Sequence, residues 1–163
     1  MIPKKTAKEY SDALYDLAEE ISEQDTFLSQ LRMINGIFKE NPEYQLTLSS
    51  PQIPLSERQN AVEEVLGDSL HEYVLSFLQI LIGKRVIRSF DDIFDAFEAR
   101  YNKEHGIIKG TVISAIELTI DQRKSITEKI SKKYEKTFDP VFTVDPSILG
   151  GIIIKIDNKL IDG

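Results

Sequence analysis

Asp145-Pro146-Ser147-Ile148-Leu149-Gly150-Gly151 runs directly into Ile152-Ile153-Ile154-Lys155-Ile156-Asp157-Asn158-Lys159-Leu160-Ile161-Asp162-Gly163. The spacing predicts a turn, a glycine pair that launches an apolar strand, a short polar turn and a second strand. Glycine permits the positive φ or bulge that aims a strand after a tight turn. A strand pair finishing on Ile161-Asp162-Gly163 looks like a domain cut before its closing element. On that reading the C-terminal part is partly disordered or exposes a sticky apolar edge.

Working back from this hairpin, the chain keeps the same grammar as far as Gly106. Ile107 to Ala115 is rich in β-branched residues and predicts a strand. Thr119-Ile120-Asp121-Gln122 is a capping box opening a lysine-rich helix to about Lys136, and Val141 to Val144 predicts another strand. Before Gly106 the pattern is helical. Ala7, Tyr10, Leu14, Leu17 and Ile21 recur at three- and four-residue steps, predicting a helix from Lys4 to about Gln24 with Asp12, Asp16, Glu19, Glu20 and Glu23 opposite. Phe27, Leu28, Leu31, Ile34, Ile37 and Phe38 form a second stripe that stops at Asn41-Pro42, because proline disfavours helical geometry in the residue before it. A short helical or irregular piece covers Glu43 to Leu48, and Ser49 to Pro54 is a connector.

Ser56-Glu57-Arg58-Gln59 reads as a capping box for a fourth helix ending at Gly67. The fifth, about Ser69 to Arg85, is apolar most of the way round (Leu70, Val74, Leu75, Phe77, Leu78, Ile80, Leu81, Ile82) and belongs in the middle of a bundle. Ser89 is placed to cap a sixth, with Asp91 and Asp92 in its first turn and Phe90, Ile93, Phe94, Phe97 and Tyr101 as its stripe. The expected architecture is α + α/β: a six-helix N-terminal bundle over residues 1–105 and a small, C-terminally incomplete α/β domain over 106–163.

The length of 163 residues, 41% hydrophobic and 29% charged, is that of a folded protein, and no apolar run approaches a membrane span. Nothing at Met1-Ile2-Pro3-Lys4-Lys5 resembles a signal peptide, so no export and no direct membrane insertion are expected. Up to His105 there are 11 Lys/Arg against 19 Asp/Glu; from Gly106 there are 9 against 8. The acidic front half argues against a nucleic-acid partner and suits a basic or amphipathic one, or simply keeps the surface solvated.

Chemistry has little to work with. Cysteine is absent, and the two histidines, His71 and His105, lack companions at metal-ligand spacing. Asp91, Asp92 and Asp95 have no phosphate-binding loop beside them, and Gly150-Gly151 precedes a strand instead of opening a helix. Lys129, Lys132, Lys133 and Lys136 form one solvated helix face. No nucleophile has an activating base. The expectation is no catalytic residue, no cofactor and no metal.

The stretch from Pro146 to Gly163 closely resembles the C-terminal signature of the delta subunit of F-type ATP synthases, called the oligomycin-sensitivity-conferring subunit in mitochondria. In that family Ile-Asp-Gly is usually followed by Ser and a final helix. Tyr10-Ser11-Asp12-Ala13-Leu14-Tyr15-Asp16-Leu17-Ala18 is similar to its opening helix, usually Tyr-Ala-x-Ala-Leu-Phe-x-Leu-Ala. Ser50-Pro51 with Ile53 and Arg58 resembles its mid-domain connector. Phe77-Leu78-x-Ile80-Leu81 leading to Gly83-Lys84-Arg85 resembles its fifth helix, and Val112-x-Ser114-Ala115 its first strand after the boundary.

The resemblance implies a non-catalytic stator subunit that couples proton or sodium flow to ATP synthesis. Its N-terminal domain would grip the amphipathic N-terminal helix of an alpha subunit, and its C-terminal part would join the C-terminal end of the b-subunit stalk. It implies a peripheral place within the ATP synthase; the absence of an Arg/Ser-rich, acid-poor leader points to the cytoplasmic face of a bacterial plasma membrane, with a mature organelle form as the alternative. The first and fifth helices are the expected groove walls: Tyr10, Ala13, Leu14 and Leu17 with Phe77, Leu78, Leu81 and Ile82. The alternative is that these eight pack against one another inside the bundle. A different class of function, a free-standing regulatory module that dimerises through its hairpin edge, is the competing reading.

Overall fold

The first two apolar stripes become α1 (Lys4–Glu20) and α2 (Gln24–Glu40) in the computed structural model, which describes residues 1–157. The first helix stops short of Gln24. Ser22 takes a left-handed conformation (φ 57°), and the Ser22 and Glu23 amides donate back to Glu19 O (3.1 Å) and Ala18 O (2.8 Å). That is a Schellman end made without glycine. It folds the chain back so that both stripes reach one core.

Pro42 opens α3 (Pro42–Ser49) at a first-turn position, where its missing N–H costs nothing. Next come α4 (Leu55–Leu66), a 3-10 turn at Gly67–Ser69, α5 (Glu72–Gly83), another at Ile87–Ser89, and α6 (Phe90–Glu104). The expected Ser56 capping box does not form. The helix starts two residues earlier, with Pro54 as its N-cap and the Arg58 amide on Pro54 O at 3.1 Å, and the Gln59 side chain donates to Gln79 O at 3.0 Å instead. Gly67 ends α4 in a right-handed conformation (φ −54°) that continues into the 3-10 turn. The Ser89 hydroxyl accepts the Ile2 amide (3.0 Å) and ties the chain's start to the beginning of α6.

The chain divides into two compact units, Met1–Tyr101 and the residues from Asn102 on. The first has a large core. Tyr15, Phe27, Leu31, Ile34, Leu78, Leu81, Ile82, Phe90, Ile93 and Phe97 are all fully buried. Each contributes on the order of 1.5–3 kcal/mol relative to exposure.

The second unit is a three-stranded sheet in the order β2-β1-β3, built from β1 (Ile107–Ser114), β2 (Thr137–Val144) and β3 (Ile152–Ile156). α7 (Ile120–Tyr134) connects β1 to the parallel β2, as a parallel pair requires, and β3 runs antiparallel to β1. Its Thr119–Gln122 capping box forms in both directions, at 3.1 and 2.9 Å. β2 begins at Thr137, four residues before the expected Val141. Pro140 argues against a strand interior but is tolerated because β2 is an edge of the sheet.

Gly110 sits at the centre of β1 because nothing larger fits. A Cβ there would lie 2.5 Å from Lys155 O and 2.8 Å from Phe138 Cε1. Gly150 and Gly151 adopt φ of 108° and 74°, the positive values that the turn before β3 demands. The expected second strand of the hairpin, through Ile161-Asp162-Gly163, lies outside the described residues. The core here is small: Ile108, Val112 and Phe138, with Leu118, Ile126, Ile130, Tyr134, Phe142 and Ile156 packed partly buried around them.

Candidate docking surfaces

α5 is fixed at both ends by side chains from elsewhere in the bundle. At its start the His71 ring nitrogen Nδ1 accepts the Tyr73 amide (3.1 Å), while the His71 amide donates to Gln30 Oε1 on α2 (2.8 Å). The imidazole packs near the rings of Phe27 and Tyr73, with centroids 5.2 and 5.1 Å away. At its end Arg85 takes a left-handed conformation (φ 59°), and the Val86 amide reaches Leu81 O at 2.9 Å, a second Schellman end.

Behind that end lies Arg58, a buried guanidinium. Its Nε donates to Ile53 O (2.9 Å), and its Nη1 to Leu48 O (3.2 Å) and Ile82 O (3.4 Å). Two of those carbonyls belong to the last turns of α3 and α5, where carbonyls lack helical partners and the helix dipole favours a cation. One side chain thus pins two helix ends and the connector between α3 and α4.

The helix so fixed has an inward and an outward face. Phe77, Leu78, Leu81 and Ile82, expected along a groove, are core residues, and Leu78, Leu81 and Ile82 are completely enclosed. Leu14 of α1 is also in the core. The remaining three expected residues lie toward the surface: Ala13 is exposed, and Tyr10 and Leu17 are half-buried. The outward row on α5 is made by residues the sequence reading did not single out. Tyr73 is 39% and Ile80 52% exposed, with small Ser76 between them and Phe77 at their edge. Tyr73, Ser76/Phe77 and Ile80 follow the i, i+3/i+4, i+7 spacing that a partner helix reads. α4 flanks this row, bringing Gln59 and half-exposed Leu55 beside Gly83.

Two carboxylates of the acidic face of α1, Asp12 and Asp16, are paired within the bundle. Arg100 of α6 pairs with Asp16 (2.7 Å) and Asp12 (3.4 Å), and its Cζ sits 4.3 Å from the centre of the Tyr15 ring. Lys8 takes the other Asp12 oxygen at 2.7 Å. On α6, burial and then the neighbouring Asp91 raise the Asp95 carboxyl above its ordinary range. Burial raises the Tyr44 hydroxyl, and the hydrogen bond to Asp25 raises that of Tyr101. Each shift has a structural partner or burial behind it.

The second unit carries a different apolar surface. The Asp145 N–H donates to Ser114 O (2.8 Å), and Ile152 pairs with Ser114. The ends of β1 and β2 and the start of β3 therefore lie together. That end presents Ile116, Val144, Leu149 and Ile152, all exposed, and α7 begins there with exposed Ile120. Two hydrogen bonds from Ser147 hold the Asp145 carboxyl below its usual range and shape the loop that displays Leu149. Among the described residues no helix is long and apolar enough to cross a membrane.

The model of the ATP synthase delta (OSCP) subunit family matches residues 6–163. ATP synthase subunit delta of Clostridioides difficile (strain 630) is 32% identical over 158 residues, covering 96% of this chain and 87% of that one. The Lactobacillus johnsonii subunit delta is 35% identical over 164 residues, covering 98% and 88%. A chain in the cryo-EM structure of the Toxoplasma gondii mitochondrial ATP synthase hexamer has the same fold. Its TM-score is 0.70 at 17% identity, over 91% of this chain and 84% of that one.

Proposed function

We propose a function from one premise: the chain belongs to the ATP synthase delta (OSCP) subunit family. It is a non-catalytic stator subunit of an F-type ATP synthase, linking the catalytic head to the peripheral stalk while ion flow is coupled to ATP synthesis. Its work is mechanical, done by binding surfaces, and no bond is made or broken on it.

The N-terminal unit docks the amphipathic N-terminal helix of an alpha subunit. The observation that carries this assignment is the outward row Tyr73, Ser76/Phe77 and Ile80 on a helix locked at both ends. A rigid apolar row loses little entropy on binding, and that favours slow release. Tyr10, Ala13 and Leu17 of α1 supply the second wall, with Leu14, Phe77, Leu78, Leu81 and Ile82 forming the packed layer beneath. A joint that stays closed under torque needs nanomolar affinity, about −12 kcal/mol, which a standard interface of about 1,600 Å² can supply.

The C-terminal unit, with its apolar end at Ile116, Ile120, Leu149 and Ile152, takes the C-terminal end of the b-subunit stalk. The protein is peripheral and sits at the cytoplasmic face of a bacterial plasma membrane.

Reconstitution tests the assignment. Membrane vesicles carrying an ATP synthase stripped of its delta subunit should regain ATP-driven ion pumping when this chain is added. Heads that stay uncoupled despite saturating amounts of the folded chain would refute it.

A further inference from the structure

We infer that docking on α5 is proton-sensitive and that His71 is the sensor. The inference rests on the reading of α5 as the alpha-helix docking row. His71 holds the first turn of that helix as an acceptor: its Nδ1 takes the Tyr73 amide at 3.1 Å. A ring nitrogen can accept only while it is unprotonated, and an imidazolium donates from both nitrogens. Protonation therefore removes the cap and sets a cation at a helix N-terminus, where the dipole disfavours it. Tyr73, the residue uncapped, is itself the first exposed side chain of the docking row.

α2 faces the ring with Phe27 and Gln30. The preceding 3-10 turn carries Asp68, and α5 adds Glu72 and Tyr73, all exposed. Histidine is the side-chain type that serves most readily as a proton switch near neutral pH. The flanking rings of Phe27 and Tyr73 ease the burial of a cation but offer no acceptor to the amide. Acidification therefore loosens the first turn of α5 and moves Tyr73 out of register with the rest of the row.

The test uses the full chain with His71→Asn and His71→Ala. Asparagine is a good cap at any pH in this range, and alanine at none. Amide exchange of Tyr73, corrected for its intrinsic pH dependence, should lose about fivefold protection in the wild type between pH 8 and 5.5. It should stay level in His71→Asn and be low throughout in His71→Ala. The affinity for a synthetic alpha-subunit N-terminal peptide should fall in parallel in the wild type and hold in His71→Asn. Level wild-type protection, or an equal fall in His71→Asn, overturns the sensor. No peptide binding at pH 8 overturns the docking reading, while the exchange data still decide the cap.

Discussion

Arg58 offers the sharpest test of how α5 is held. The change Arg58→Met keeps an unbranched apolar stem out to about the position of Nε and removes every donor. Ile82 O would keep the Arg85 amide at 3.1 Å, but Leu48 O and Ile53 O would lose their guanidinium partners in a buried site. Two orphaned carbonyls cost roughly 1–3 kcal/mol each. Ending the burial of a cation returns part of that, so the net loss is about 3 kcal/mol. A unit of this size shifts by about 4–8 °C per kcal/mol, which places the drop in Tm near 15 °C. Arg58→Lys keeps the charge, but its ammonium lacks the planar fork and should fall between the two. Helical circular dichroism followed through thermal and urea unfolding measures all three. A methionine variant melting within about 2 °C of the wild type would refute the pinning role.

Gly110→Ala drives a methyl into Lys155 O and the Phe138 ring. It should cost the C-terminal unit about 2 kcal/mol, seen as selective loss of its NMR dispersion while the bundle's signals persist. The small core of the C-terminal unit also predicts faster amide exchange at Ile108 and Val112 than at Leu78 and Leu81 under identical conditions. Asp95 has a raised carboxyl pKa, so its ionised form opposes folding. That penalty is absent below the ordinary carboxylate range and grows as pH rises through the folded value. Asp95→Asn should therefore be more stable by a few tenths of a kcal/mol at pH 7, screened by exposure, with the gap closing toward pH 3.

Much of the fold was legible because periodicity and punctuation agreed. The stripes of α1, α2 and α6 and the Thr119–Gln122 box declare themselves locally. Local rules failed where tertiary demands won. Ser22 breaks a helical run because two stripes must share one core. Pro140 hides the start of a strand that only its edge position permits. The Ser56 box gave way to Arg58 and Gln59, whose side chains were needed at the ends of other segments. The outward row of α5, proposed above as the docking row, was the hardest to see. A helix apolar all round does not reveal which side faces water, and five of the eight expected groove residues proved to be core. Ser76, a small polar residue flanked by Tyr73 and Ile80 at helical spacing, was the available signal for the outward face.

Calorimetry of the full chain with an alpha-subunit N-terminal peptide, beside the variant Ile80→Asp, tests the central claim most directly. Ile80 is 52% exposed, so the substitution spares the core and places a charge at the C-terminal end of the row. The account predicts a 1:1 complex for the wild type and at least a hundredfold weaker binding for Ile80→Asp, with thermal stability unchanged. Equal affinity of the two proteins, or no complex at micromolar concentration, would contradict it.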